Sequence, residues 1–148
     1  MRAPCLPCHP LNYTLTRFHT RATALPEPQS RILLVGDSAA RPEGLERFRR
    51  LGLTGIETRL GDGAAGWLEA APFQGILVTA AAPHVPQPLA DQLAPGGRLV
   101  IPIGDLASQE LVIWERSSDG KLRERRAGGV RFVPLISRLA FTEEPEWR

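Results

Sequence analysis

Lysine is almost missing from this 148-residue chain: of 18 basic residues, only Lys121 is not an arginine. Its positive charge therefore rests on guanidinium groups, which stay protonated and pair bidentately with carboxylates. An excess of either sign is missing too, since 18 basic residues face 16 acidic ones for a net charge of +2. That balance removes phosphate-backbone attraction as a default role, and nucleic acid is not an expected partner. No apolar run reaches the roughly 18 to 20 residues of a transmembrane helix. The opening MRAPCLPCHP carries charge and prolines where a signal peptide needs an apolar stretch. The expectation is a cytoplasmic monomer with no membrane association. Cysteine is scarce, with Cys5 and Cys8 alone, and Met1 is the single methionine. Cys5, Cys8 and His9 match the c-type haem attachment pattern, but that reading needs export and normally a second axial ligand. Zinc would need four ligands, and only His19 lies close behind these three. Reduced thiols in an irregular leader are the simpler reading. Glycine and proline are plentiful, at 14 each. So many turns argue for short elements and against a helical bundle.

Residues 1–30 contain Pro4, Pro7, Pro10, Pro26 and Pro28 and no sustained period; they are expected to lie outside the core. The domain is expected over 31–140, with 141–148 a frayed tail. RILLVGD from Arg31 is a short apolar run closed by Gly36 and Asp37, the mark of a strand buried on both faces. Pro42 opens a helix of about three turns, with Leu45, Phe48 and Leu51 at helical spacing. The alternation repeats: a strand at 56–60, a short helical segment at 64–70, a strand at 73–79, a helix at 85–93 begun at Pro86, and the strand RLVIPIG from Arg98. Strands alternating with helices predict an α/β fold with a parallel sheet and helices on both faces. After Gly104 the period becomes 2, and QELVIWERS and KLRERRA flank Ser118, Asp119 and Gly120, which predicts an antiparallel hairpin. VRFVPLI from Val130 is expected to add a further strand.

In open α/β sheets, ligands sit outside the carboxyl ends of the strands. The loops at those ends are GDSAA (36–40), GDG (61–63), TAAAP (79–83) and PIGD (102–105). Taken singly, GDG is a turn with a helix-capping aspartate, TAAAP a small-residue strand cap and VRFVPL a core strand. Taken in order, RLGLTGIETRLGDGAAGW, APFQGILVTAAAPHVPQPLADQLAPGGRLVIPIGD, QELVIWER and GGVRFVPLI resemble the protein-L-isoaspartate O-methyltransferase family over more than half the chain. The resemblance implies a three-layer Rossmann-like methyltransferase sheet, here partial, and S-adenosylmethionine as cofactor. Its substrates would be proteins or peptides carrying isoaspartyl carboxylates, methylated in protein repair.

Residue by residue, the resemblance implies that Asp62 and Gly63 meet the adenine ring, the carboxylate accepting from its amino group. Thr79, Ala80 and Ala81 match the loop beside the transferred methyl, and Val130, Arg131, Phe132, Val133, Pro134 and Leu135 the segment lining the peptide. Gly36 and Asp37 come nearest to the family's glycine-rich cofactor loop, but there is no clear copy of it. If RILLVGD is the first strand, Ser38 and Ala40 stand where glycines belong. If it is the second, Val35 stands where the ribose-binding acid belongs, Asp37 is two residues late, and the central first strand is lost. Helix length before RLGL favours the second alignment. Gln74 also replaces a common Asp. Methyl transfer to a carboxylate demands alignment more than acid-base chemistry, so His84 is read as a surface loop residue. Two functions follow: an isoaspartyl methyltransferase with weakened cofactor binding and doubtful activity, or a non-catalytic remnant or interaction module of the same fold.

Overall fold

The computed structural model describes residues 14–16, 32–35, 42–52 and 56–142. Cys5, Cys8, His9, His19, Gly36 and Asp37 lie outside them. Apolar β-rich runs build one seven-stranded sheet, in the order β3-β2-β1-β4-β5-β6-β7. Its strands are β1 (Thr14–Thr16), β2 (Ile32–Val35), β3 (Ile56–Arg59), β4 (Phe73–Val78), β5 (Leu93–Gly104), β6 (Gln109–Arg116) and β7 (Leu122–Val130). β2 and β3 pair in parallel, as do β4 and β5. Helix α1 (Pro42–Arg50) opens on its proline and α2 (Gln87–Asp91) is capped by Pro86. The segment expected to be helical at 64–70 splits into two 3-10 turns, Gly63–Ala65 and Leu68–Ala70.

The core sits where β4, β5, α2 and the carboxyl-terminal segment meet, around Ile76, Val78, Leu89, Leu99, Ile101 and Leu135. FQGILV and RLVIPIG supply enough branched apolar surface for this, at roughly 1.5–3 kcal/mol for each large side chain buried. The hairpin joins β6 to β7 as expected. Gly120 takes a φ of 85° in the turn, and its N–H donates to Ser117 O at 2.9 Å. At Gly104, φ is 150° and a Cβ would come within 2.1 Å of Ser108 O, so the turn from β5 to β6 demands glycine.

Three expectations need correction. Residues 1–30 are not wholly outside the sheet, because Thr14–Thr16 form its central strand, antiparallel to both neighbours. Two apolar parallel pairs leave a gap of backbone donors and acceptors between them, which even a three-residue segment fills. The sheet thus combines the expected parallel pairs and antiparallel hairpin with this one reversed strand. Ile32–Val35 takes the second-strand position, beside β3 and separated from β4 by β1. VRFVPLI is not a separate strand: Val130 ends β7, and the residues beyond it make only isolated bridges, Pro134 with Ala81 and Ile136 with Phe141. Phe141 is thereby part of the fold rather than the start of a frayed tail; its N–H donates to Leu135 O at 3.1 Å.

Candidate active site

Asp62 lies just beyond the carboxyl end of β3, exposed to solvent, while Gly63 and Ala64 beside it are buried. Its Oδ1 accepts from Ala64 N at 2.9 Å, capping the first 3-10 turn. Its Oδ2 accepts from the Ser137 hydroxyl at 2.6 Å, a separation of 75 residues in the chain. The GDG turn is thus both a capped turn and one end of a long-range tie. Leu60 and Leu68, near this turn in the chain, are 70% and 74% exposed. Arg59 lies over the Trp67 ring, 5.6 Å from its centroid, and pairs with Glu69, whose carboxyl it holds below the usual range by hydrogen bonding.

The TAAAP loop continues β4 into a slot between two other segments. Ala80, Ala81 and Ala82 are fully buried and Thr79 is partly exposed. Ala81 N donates to Val133 O, and Leu135 N to Ala81 O, both at 2.7 Å. On the other side Ala82 N donates to Pro102 O and Gly104 N to Ala82 O, both at 3.0 Å. Within the segment 130–135, Arg131, Phe132 and Val133 are exposed while Pro134 and Leu135 are buried.

Two residues that sequence reasoning missed hold these loops. Gln109, 4% exposed, accepts from Phe132 N at 2.7 Å and donates to the carbonyls of Phe132 and Asp105 at 3.1 and 3.2 Å. Ser137 ties the same carboxyl-terminal segment to Asp62. Residues 132–137 therefore join the PIGD, TAAAP and GDG loops, uniting Asp62, Ala81 and Pro134 as one constellation. The only clue in the sequence is that Gln109 and Ser137 are polar residues beside apolar runs. Gly36 and Asp37, assigned to the cofactor, are outside the described residues. Among the described residues no group of His, Cys, Asp and Glu could hold a metal ion, and no helix is long and apolar enough to cross a membrane.

A sheet with the parallel pairs β2–β3 and β4–β5, an antiparallel hairpin at one edge and its candidate site on loops at strand carboxyl ends shares the architecture of Rossmann-like methyltransferases, apart from the reversed strand β1. The profile of the protein-L-isoaspartate(D-aspartate) O-methyltransferase family matches residues 40–140, more than half of the chain. The chain belongs to that family. It is 46% identical over 120 residues to the protein-L-isoaspartate O-methyltransferase of Pelotomaculum thermopropionicum, covering 78% of this chain and 52% of that protein. It is 50% identical over 93 residues to protein-L-isoaspartate O-methyltransferase 1 of Syntrophobacter fumaroxidans, covering 63% of this chain and 43% of that one. Among solved structures, a protein-L-isoaspartate O-methyltransferase superposes with a TM-score of 0.61 at 29% identity, covering 72% of this chain and 34% of the other. A Plasmodium falciparum protein described as a protein-L-isoaspartate O-methyltransferase, in complex with S-adenosyl-L-homocysteine, gives 0.54 at 27% identity, covering 63% and 46%. The chain spans about half or less of the length of these relatives.

Proposed function

We propose that this chain holds the adenosine end of S-adenosylmethionine through Asp62 and Gly63 and an isoaspartyl peptide along Val130–Leu135, with weak cofactor binding and very slow methyl transfer. The observation that carries this reading is the reversed central strand. Register pairs Thr14 with Val35 and Val78, so the amino end of β1 lies beside the carboxyl ends of β2 and β4. A central strand running parallel would leave the sheet there into a loop and a helix whose N–H groups and positive dipole end favour a bound carboxylate or hydroxyl. Here the chain enters at that point instead. The residues on the adenosine side do fit the cofactor: an exposed carboxylate offers acceptors to an amino group, Gly63 brings backbone close, and Leu60 and Leu68 offer apolar surface to a purine.

When bound, the cofactor supplies an electrophilic methyl on a sulfonium, which takes up the carbon–sulfur electron pair as it leaves. The protein's part is to orient and desolvate. An isoaspartyl carboxylate is ionised at neutral pH and needs no general base. Thr79, Ala80 and Ala81 would form the floor beside it, and Arg131 adds an exposed positive charge. Alignment accelerates transfer only when both reactants are held in one site, so weak donor binding limits the rate.

Calorimetric titration with S-adenosylmethionine and a radiolabelled methyl assay on an isoaspartyl peptide test this directly. We expect a dissociation constant above about 100 μM, in the weak part of the usual enzyme range. Asp62→Ala should remove binding, and turnover should fall far below about 1 per second. Binding tighter than this, equal binding by Asp62→Ala, or turnover at an ordinary enzyme's rate would each overturn the reading.

A further inference from the structure

Three polar side chains are buried among the described residues: Gln92, Gln109 and Ser137. Each glutamine is explained by backbone it satisfies. Gln92 accepts from Trp67 N and donates to Ala65 O, both at 2.8 Å, and Gln109 brackets Phe132. Ser137 differs, because its hydroxyl donates to a side chain that is itself exposed. Its N–H donates to Phe141 O at 2.8 Å, and its carbonyl accepts from Ala140 N at 3.1 Å, which fixes its backbone. Its Oγ also accepts from Leu139 N at 3.0 Å. With that acceptor position used, the hydroxyl proton is directed at Asp62 Oδ2. Asp62 Oδ1 is meanwhile fixed by Ala64 N. A bond from the turn itself and one from a segment 75 residues away thus set the plane of one carboxylate, where the turn's own cap alone would leave it free to rotate.

We propose that Ser137 is a positioning residue that gives the Asp62 site its preference for an amino-bearing purine over an oxo-bearing one. This rests on the reading of Asp62 as the adenine contact. An ionised carboxylate has about four acceptor positions, and two are taken by Ala64 N and Ser137, leaving two for the solvent side. Held in one plane, these face an exocyclic amino group as ready acceptors, with little ordering cost on binding. A 6-oxo group there would meet oxygen lone pairs on a carboxylate unable to turn away. Without the Ser137 hydroxyl the carboxylate can rotate, so the amino compound must order it and the oxo compound can displace it.

Calorimetric titration of the full chain with S-adenosylhomocysteine and with S-inosylhomocysteine, its 6-oxo counterpart, tests this. The unaltered protein should prefer the adenosyl compound by about tenfold or more. Ser137→Ala should shrink that preference by about fivefold, and Ser137→Thr, which keeps the hydroxyl, should restore it to within about twofold. A thermal melt of each variant reads the purely structural contribution. An unchanged preference in Ser137→Ala alongside a lowered melting temperature shows that the hydroxyl serves only the fold and overturns the proposal. If the unaltered protein binds both compounds equally, the adenine role of Asp62 fails and Ser137 has nothing to position. If it binds neither, the proposed cofactor reading itself fails, and this proposal with it.

Discussion

At the scale of single residues, the candidate site depends on buried polar side chains that are fully bonded. Gln92 shows the cost of removing one. Its amide fills the space above Gly66, where a Cβ would lie 2.4 Å from Gln92 Oε1 and where φ is 69°. The two 3-10 turns after Asp62 are joined through it by Trp67 N and Ala65 O. Gln92→Ala would remove the partner of both backbone groups, which are only partly buried, at a cost of about 1 kcal/mol each, the low end for an unpaired group. We expect Gln92→Ala to lower stability by about that amount in chemical denaturation, and to weaken nucleoside binding because the turn carrying Asp62 loses its support. Gln92→Glu, which keeps an acceptor for Trp67 N but not the donor to Ala65 O, should fall between the two.

At the scale of elements, the turn from β5 to β6 is built around Asp105. Its carboxylate accepts from Ala107 N at 2.8 Å and Ser108 N at 2.7 Å, and these bonds hold the carboxyl below the usual aspartate range. A group with a depressed folded pKa contributes stability above its unfolded value, about 3.9, and loses it as pH falls through the folded value. The group is exposed, so the effect is confined to the turn. Protection of the Ala107 and Ser108 amides, relative to their intrinsic exchange rates, is expected to fall below about pH 4, and Asp105→Asn should show the weaker protection at neutral pH. Equal exchange in both proteins at neutral pH would show that the carboxylate does not hold the turn.

Element by element, the sequence is legible where one kind of local signal is strong. β4 and β5 carry the apolar runs GILV and LVIPI, α1 opens on Pro42, and the hairpin turns at Asp119 and Gly120, so each could be located from the chain alone. Thr14–Thr16 could not: three residues carry no period, and their place is decided by unpaired edges of β2 and β4 that exist only in the fold. The VRFVPL run has strand composition yet lacks a neighbour along most of its length: Val130 pairs with Gln109 at the end of β7, and beyond it only Pro134 forms a bridge. For the site, Asp62 and Thr79–Ala81 stand out because small residues and an acid follow apolar strands. Ser137 is invisible for the opposite reason, being a small hydroxyl whose partner is 75 residues away.

At the scale of the whole molecule, the sheet has an uneven division. β2 and β3 reach the rest of the sheet only through the three residues of β1, whereas β4, β5 and β6 are paired along most of their length. Ser137 supplies a second tie, from the segment packed on β4 to the turn following β3. Proteins open in cooperative units whose free energies run from near zero up to that of global unfolding. The short bridge therefore makes the β2–β3 pair a separate unit of low opening free energy, and the turn carrying Asp62, held to the core through Ala64, Gln92 and Ser137, borders it. Native-state hydrogen exchange should find β2 and β3 amides exchanging by a local opening well before those of Ile76, Leu99 and Val112. Ligand that binds the closed form should slow that opening by mass action. A chain built this way would answer a ligand held at Asp62 mainly by annealing one margin of its sheet, so occupancy would register as protection of β2 and β3 while the centre of the molecule stays unchanged.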